Sequence, residues 1–107
     1  MMIPSVIRVG SRRYSVKRVA RIDGRDAWGQ TSSPESTIRL RDDIPDVLLA
    51  EIFLHELIHA VMMERDVEKP DDEHLVSALT SGLTAVLQDI GWMPERVEIE
   101  ETKEAQP

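Results

Sequence analysis

The sequence contains no cysteine. That excludes a disulfide framework and any thiolate metal site, so a bound metal would have to be held by His, Asp or Glu. Apolar runs are short. No stretch approaches the roughly 18 residues that a membrane span needs, and no membrane partner is expected. Met1-Met2-Ile3-Pro4-Ser5 lacks a basic segment followed by a long apolar stretch, so a secretory signal is not expected either. Both absences are compatible with a cytoplasmic location, which is the expectation here. Aromatic residues are few: Tyr14 is the only tyrosine, and Trp28 and Trp92 are the only tryptophans. Packing is the first expectation for each and lining a cleft the second.

What is present fits one soluble α+β domain over residues 1–94, followed by an acidic, flexible tail over 95–107. The chain has 107 residues and a net charge of −7, unevenly spread. Residues 1–41 hold nine Arg or Lys against three Asp or Glu, while residues 42–107 hold four against seventeen. The two halves therefore attract each other in the fold, or the arginine-rich part docks an acidic partner. Nucleic acid is not expected as that partner, because no recognised binding motif accompanies the arginines.

Residues 3–41 read as short strands in a small antiparallel meander. Val6 to Val9 is followed by the turn residues Gly10-Ser11, and Tyr14 to Val19 by Asp23-Gly24. Ala27 to Gln30 comes next, and Ser36 to Leu40 follows the loop at Ser32-Ser33-Pro34-Glu35. From Pro45 to about Arg65 the pattern becomes helical. Val47, Leu48, Leu49, Ile52, Phe53, Leu54, Leu57, Ile58, Val61, Met62 and Met63 surround this helix almost completely, which predicts burial on most sides. A second helix, capped by Asp71 or Asp72, runs to about Ile90 and ends at Gly91. Leu75, Leu79, Leu83, Val86 and Ile90 form its apolar stripe. Gly82, costly inside a helix, would be explained by a close helix–helix approach. The tail has only Val97 and Ile99 as large apolar residues, so its removal is expected to change stability little.

The first helix carries His55-Glu56-Leu57-Ile58-His59. Histidines at i and i+4 lie on one helix face about 6 Å apart at Cβ, close enough for both imidazoles to reach one ion. Zinc suits such donors, since it takes imidazole and carboxylate ligands. Glu56 follows the first ligand directly, which places it beside the ion as a general base. By average residue usage the pattern should arise by chance in roughly a few chains per thousand of this length, so the context must support it. His55 and His59 share a stripe with Leu48, Ile52 and Met62, on the side expected to point inward, where an unpartnered imidazole is costly. Glu51, one turn earlier, is either a solvated acid or an acceptor for a ligand imidazole.

A catalytic zinc needs a third protein ligand, and the start of the second helix offers Glu73 and His74. Glu73 projects near Val76, Leu83 and Leu87, the side expected to face the first helix. His74 is rotated about 100° away, toward Ser77, Ala78 and Ser81. This favours Glu73.

The segment from Ile44 to Trp92, through Leu54-His55-Glu56-Leu57-Ile58-His59-Ala60 and Glu73-His74-Leu75-Val76, resembles the zincin metallopeptidases. It is most similar to small phage- and prophage-type proteins related to the ImmA/IrrE-like group. The resemblance implies a minimal zincin fold, with a small sheet packed on the active-site helix and a second helix supplying a carboxylate ligand, here Glu73 with Val76 following. No Gly follows His59 in the manner of the longer metzincin motifs, so that branch is excluded. The expected function is a zinc-dependent hydrolase cleaving peptide bonds in a peptide or protein substrate. The alternative is a metal-binding regulatory or interaction module without turnover, and a metal-free interaction protein is the third reading.

Overall fold

The computed structural model describes residues 2–23, 27–93 and 98–99. Within them the chain forms a small α+β fold. A four-stranded mixed sheet contains β2 (Val6–Val9), β3 (Arg12–Val19), β4 (Gly29–Ser32) and β5 (Thr37–Arg41). Two helices follow, α1 (Asp46–Glu64) and α2 (Glu73–Asp89). A separate two-stranded pair joins β1 (Met2–Ile3) in parallel to β6 (Glu98–Ile99).

The sheet order is β2-β3-β5-β4, which corrects the expected antiparallel meander. β3 and β5 run parallel, with Val16 opposite Ile38 and Arg18 opposite Leu40. The chain crosses from β3 to the far edge, makes β4, and returns antiparallel through β5. Alternation of side chains carries the same signal for either arrangement, so the strands are legible in the sequence while their order is not. The inward positions Tyr14, Val16, Ile38 and Leu40 are at most 1% exposed and join Leu49, Ala50 and Ala60 of α1 in the core. Truncating one of these central aliphatics to Ala would cost about 2–5 kcal/mol.

α1 begins after Pro45, whose carbonyl accepts from the Leu48 amide at 2.9 Å. It ends where Asp66 turns into the left-handed region at φ 58°, letting the Val67 amide reach the Met62 carbonyl at 3.0 Å. Only part of α1 is covered. Val47, Leu48 and Val61 are exposed, so the expectation of burial on most sides is not met. α2 starts with the Asp72 carboxylate accepting from the Leu75 amide at 3.0 Å, and Gly91 follows its end at φ 79°. α2 packs against α1 through Val76, Thr80 and Thr84, while Leu75, Leu79, Leu83, Val86 and Ile90 face outward. The predicted stripe is thus the solvent face. The Thr80 hydroxyl is accommodated inside by donating to the Val76 carbonyl at 2.7 Å. No close approach occurs at Gly82, where an added Cβ would meet nothing within 4 Å. Trp92 is 72% exposed and does not pack as expected.

Two residues of the expected tail, Glu98 and Ile99, form β6 against β1. The rest of that tail, and Gly24 of the expected Asp23-Gly24 turn, lie outside the described residues. Among the described residues, no helix is long and apolar enough to cross a membrane.

Candidate metal centre

α1 presents His55 and His59 on the side facing the start of α2, with ring centroids 5.0 Å apart. Glu73, the first residue of α2, reaches between them. Its Oε2 lies 3.0 Å from His55 Nε2, and its Oε1 lies 2.8 Å from His59 Nε2. One donor atom from each of the three residues falls within 4.8 Å of the others. His74 is exposed on the neighbouring face of α2 and belongs to no such group among the described residues. The side of α2 that directs Glu73 toward α1 is the one carrying Val76, Thr80 and Thr84. Leu83, expected on that side, faces solvent.

The donor set fits a cation. His59 Nδ1 lies 2.7 Å from the Pro70 carbonyl, which can only accept, so the Nδ1 proton is directed there. A neutral His59 then turns the lone pair of Nε2 toward a carboxylate oxygen. Two acceptors at 2.8 Å repel unless a positive charge lies between them, either a proton or a metal ion. Two imidazoles and a carboxylate are an appropriate ligand set for zinc, and the carbonyl bond to the far ring nitrogen is the arrangement that orients a ligand histidine. Pro70 therefore contributes through its main chain, a role that side-chain patterns do not report.

Glu56 lies beside this group but outside it. It is 6% exposed, and the Thr31 hydroxyl lies 2.7 Å from its Oε1 and 3.0 Å from its main-chain carbonyl. Burial pushes the Glu56 carboxyl above the usual glutamate range. The Thr31 hydrogen bond and the positive charge available at His55 and His59 oppose that shift, and Glu73 adds to it. One hydroxyl can serve both protonation states. Thr31 donates to the ionised carboxylate, or accepts from the protonated one while turning its own proton to the carbonyl. The strand passes very close at this point. A Cβ on Gly29 would stand 2.9 Å from Glu56 Cγ, so only glycine lets β4 approach so near. Gly29 and Thr31 were not singled out from the sequence. A glycine inside a strand was the available signal for close backbone approach.

These residues line a cleft of about 650 Å3 between β4, α1 and the start of α2. Leu48 and Ile52 form part of its wall, so the stripe shared with the histidines faces the cleft as well as the core. Trp28 also lines it, with the Arg41 guanidinium 4.9 Å over its ring. Tyr14 takes no part: it is buried and donates to Glu64 Oε2 at 2.6 Å. Glu51 lines the cleft without a hydrogen bond to either histidine.

No family model, curated protein or solved structure matches this chain. The functional reading therefore rests on the site itself and on the motif resemblance.

Proposed function

We propose that this protein is a zinc-dependent metallohydrolase of minimal zincin type that cleaves peptide bonds, with His55, His59 and Glu73 as ligands. The observation that carries this reading is the convergence of three ligand atoms from two helices beside a separate, buried carboxylate. With no cysteine present, two imidazoles and a carboxylate favour zinc among the common catalytic metals. Zinc held by His55, His59 and Glu73 would supply Lewis-acid chemistry for a bound carbonyl and a water nucleophile near neutral pH.

The chain's own residues then move the proton. Glu56 accepts it from the attacking water and delivers it to the leaving amine, as general base and then general acid. Thr31 steadies the carboxyl in both states. A peptide is favoured as substrate by the position of β4, the last strand of the sheet, whose Gly29 touches Glu56. An extended chain can add to such an edge through main-chain hydrogen bonds and lie beside the carboxylate.

The test is cleavage of a fluorogenic peptide library by the zinc-loaded protein, with and without chelator, alongside Glu56→Gln. Gln keeps the size but cannot take the proton. Cleavage should be chelator-sensitive and slower by about 10²–10⁴-fold in the variant, with zinc content unchanged. Equal cleavage by the variant contradicts the role of Glu56. Zinc binding without cleavage of the library, or of a partner captured on Glu56→Gln, favours the non-catalytic module.

A further inference from the structure

We infer that the outer face of α2 and the groove beside it form a two-fold interface with a second copy of this chain. The inference is independent of the reaction. Leu75, Leu79, Leu83, Val86 and Ile90 are between 42% and 56% exposed. They lie in a segment, Leu75 to Gln88 with Ile90 just beyond, in which no residue of α2 carries a charge until Asp89. Beside them is an apolar groove of about 520 Å3, lined by Ile7, Val9, Leu54, Ile58, Val61 and Leu79. Its α1 wall is formed by Leu54 and Ile58, half-buried in the single chain, and the exposed Val61.

Large aliphatic side chains at this exposure, in a row along one helix, form an apolar patch of the kind that marks an interaction surface. The described part of the chain does not cover this patch.

A second copy fits for three reasons. A two-fold interface uses the same patch on both sides, so it needs projections and a recess next to each other. Leu79 belongs to both the stripe and the groove, so the α2 stripe of one copy can fill the groove of the other while its own groove is filled in return. Despite the net charge of −7, α2 carries no charge from Leu75 to Gln88, and self-association brings no like charges together along that stretch. Among the residues lining the groove are Arg8 and Arg65, both exposed and without an ion pair among the described residues, while the C-terminal end of α2 carries the acid Asp89. The rim acid Glu64 is already held by Arg12 and Tyr14. Ala78, Gly82 and Ala85 beside the stripe keep the surface low, and the open space at Gly82 accepts a neighbouring helix.

Sedimentation equilibrium of the full chain up to hundreds of micromolar tests this. The wild type should weigh twice 12.2 kDa. The double variant Leu79→Asp, Leu83→Asp should dissociate at least 100-fold more readily with an unchanged circular dichroism spectrum. Because the chain has no cysteine, Gly82→Cys tests the same face in an otherwise intact molecule. It should form a disulfide-linked dimer on mild oxidation, whereas Glu35→Cys, on the exposed loop before β5, should not. A wild type that stays monomeric at hundreds of micromolar overturns the inference, and so does a dimer in which Gly82→Cys crosslinks no faster than Glu35→Cys. Binding of an unrelated protein to a monomeric chain through this face would also overturn it.

Discussion

Gly29 and Glu56 stand 27 residues apart in sequence, yet the missing side chain of one sets the position of the other. Replacing Gly29 by Ala would place a methyl 2.9 Å from Glu56 Cγ, so the carboxylate or the strand must shift. Glu56 is not a ligand in this account, so Gly29→Ala should keep its zinc while turnover falls about 100-fold, the scale expected when a reacting group is misplaced by about 1 Å. Zinc content and peptide cleavage measured on one preparation check both halves. Full activity would show that Glu56 has room to spare. At this scale the sequence was informative about side chains that act directly. His55, Glu56 and His59 are marked by spacing, whereas Glu73 was favoured by a helix phase that holds at Val76 and fails at Leu83. The groups that hold them do not. Thr31, Gly29 and the Pro70 carbonyl reach the site only through tertiary contact, and a main-chain carbonyl has no sequence signature at all.

At the scale of elements, α1 is tied to the sheet by its last residue. Glu64 accepts from Tyr14 at 2.6 Å and from Arg12 at 3.1 Å. The Tyr14 hydroxyl holds its carboxyl below the usual range, helped by the Arg12 charge and opposed by burial. A depressed folded-state pKa contributes stability that is present above the ordinary value of 4.5 and lost as the pH falls through the folded-state value. Glu64→Gln should therefore lower the melting temperature at pH 7, and the gap from wild type should shrink below pH 4.5. A gap that stays constant down to pH 3 would show that the ionised form is not what matters.

The other end of the chain gives a second prediction at this scale. The composition of residues 95–107 reads as a dispensable tail, but Glu98–Ile99 supplies the only described strand beside β1, whose Ile3 is buried in the core. Removing residues 100–107 should leave the melting temperature close to wild type, while removing 98–107 should lower it clearly. Equal melting temperatures would mean that the β1–β6 pairing contributes nothing. Two residues of β-strand are too short to show alternation, so the charged neighbours dominate the reading. The two helices were legible to within a residue or two because caps and breakers mark them. Which side of α2 turns inward was not, since the leucine stripe outweighs Val76, Thr80 and Thr84 in any hydrophobic pattern. That stripe is turned away from α1.

Across the whole molecule, a sheet, one helix and the start of another enclose a cleft in which every proposed reacting group is present. The α+β class and the helix-borne pair were readable from the sequence, because 3.6-residue periodicity and the spacing of two histidines are local properties. The strand order and the open apolar groove were not, because they depend on how distant segments meet. The central claim is that His55, His59 and Glu73 form one zinc site. Zinc titration of chelator-stripped protein, followed calorimetrically, tests it most directly. The account predicts one zinc per chain, retained in Glu56→Gln and His74→Ala, weakened at least about 100-fold in Glu73→Ala and abolished in the His55→Ala, His59→Ala double variant. Stoichiometric zinc binding of unchanged affinity in the double variant would contradict it.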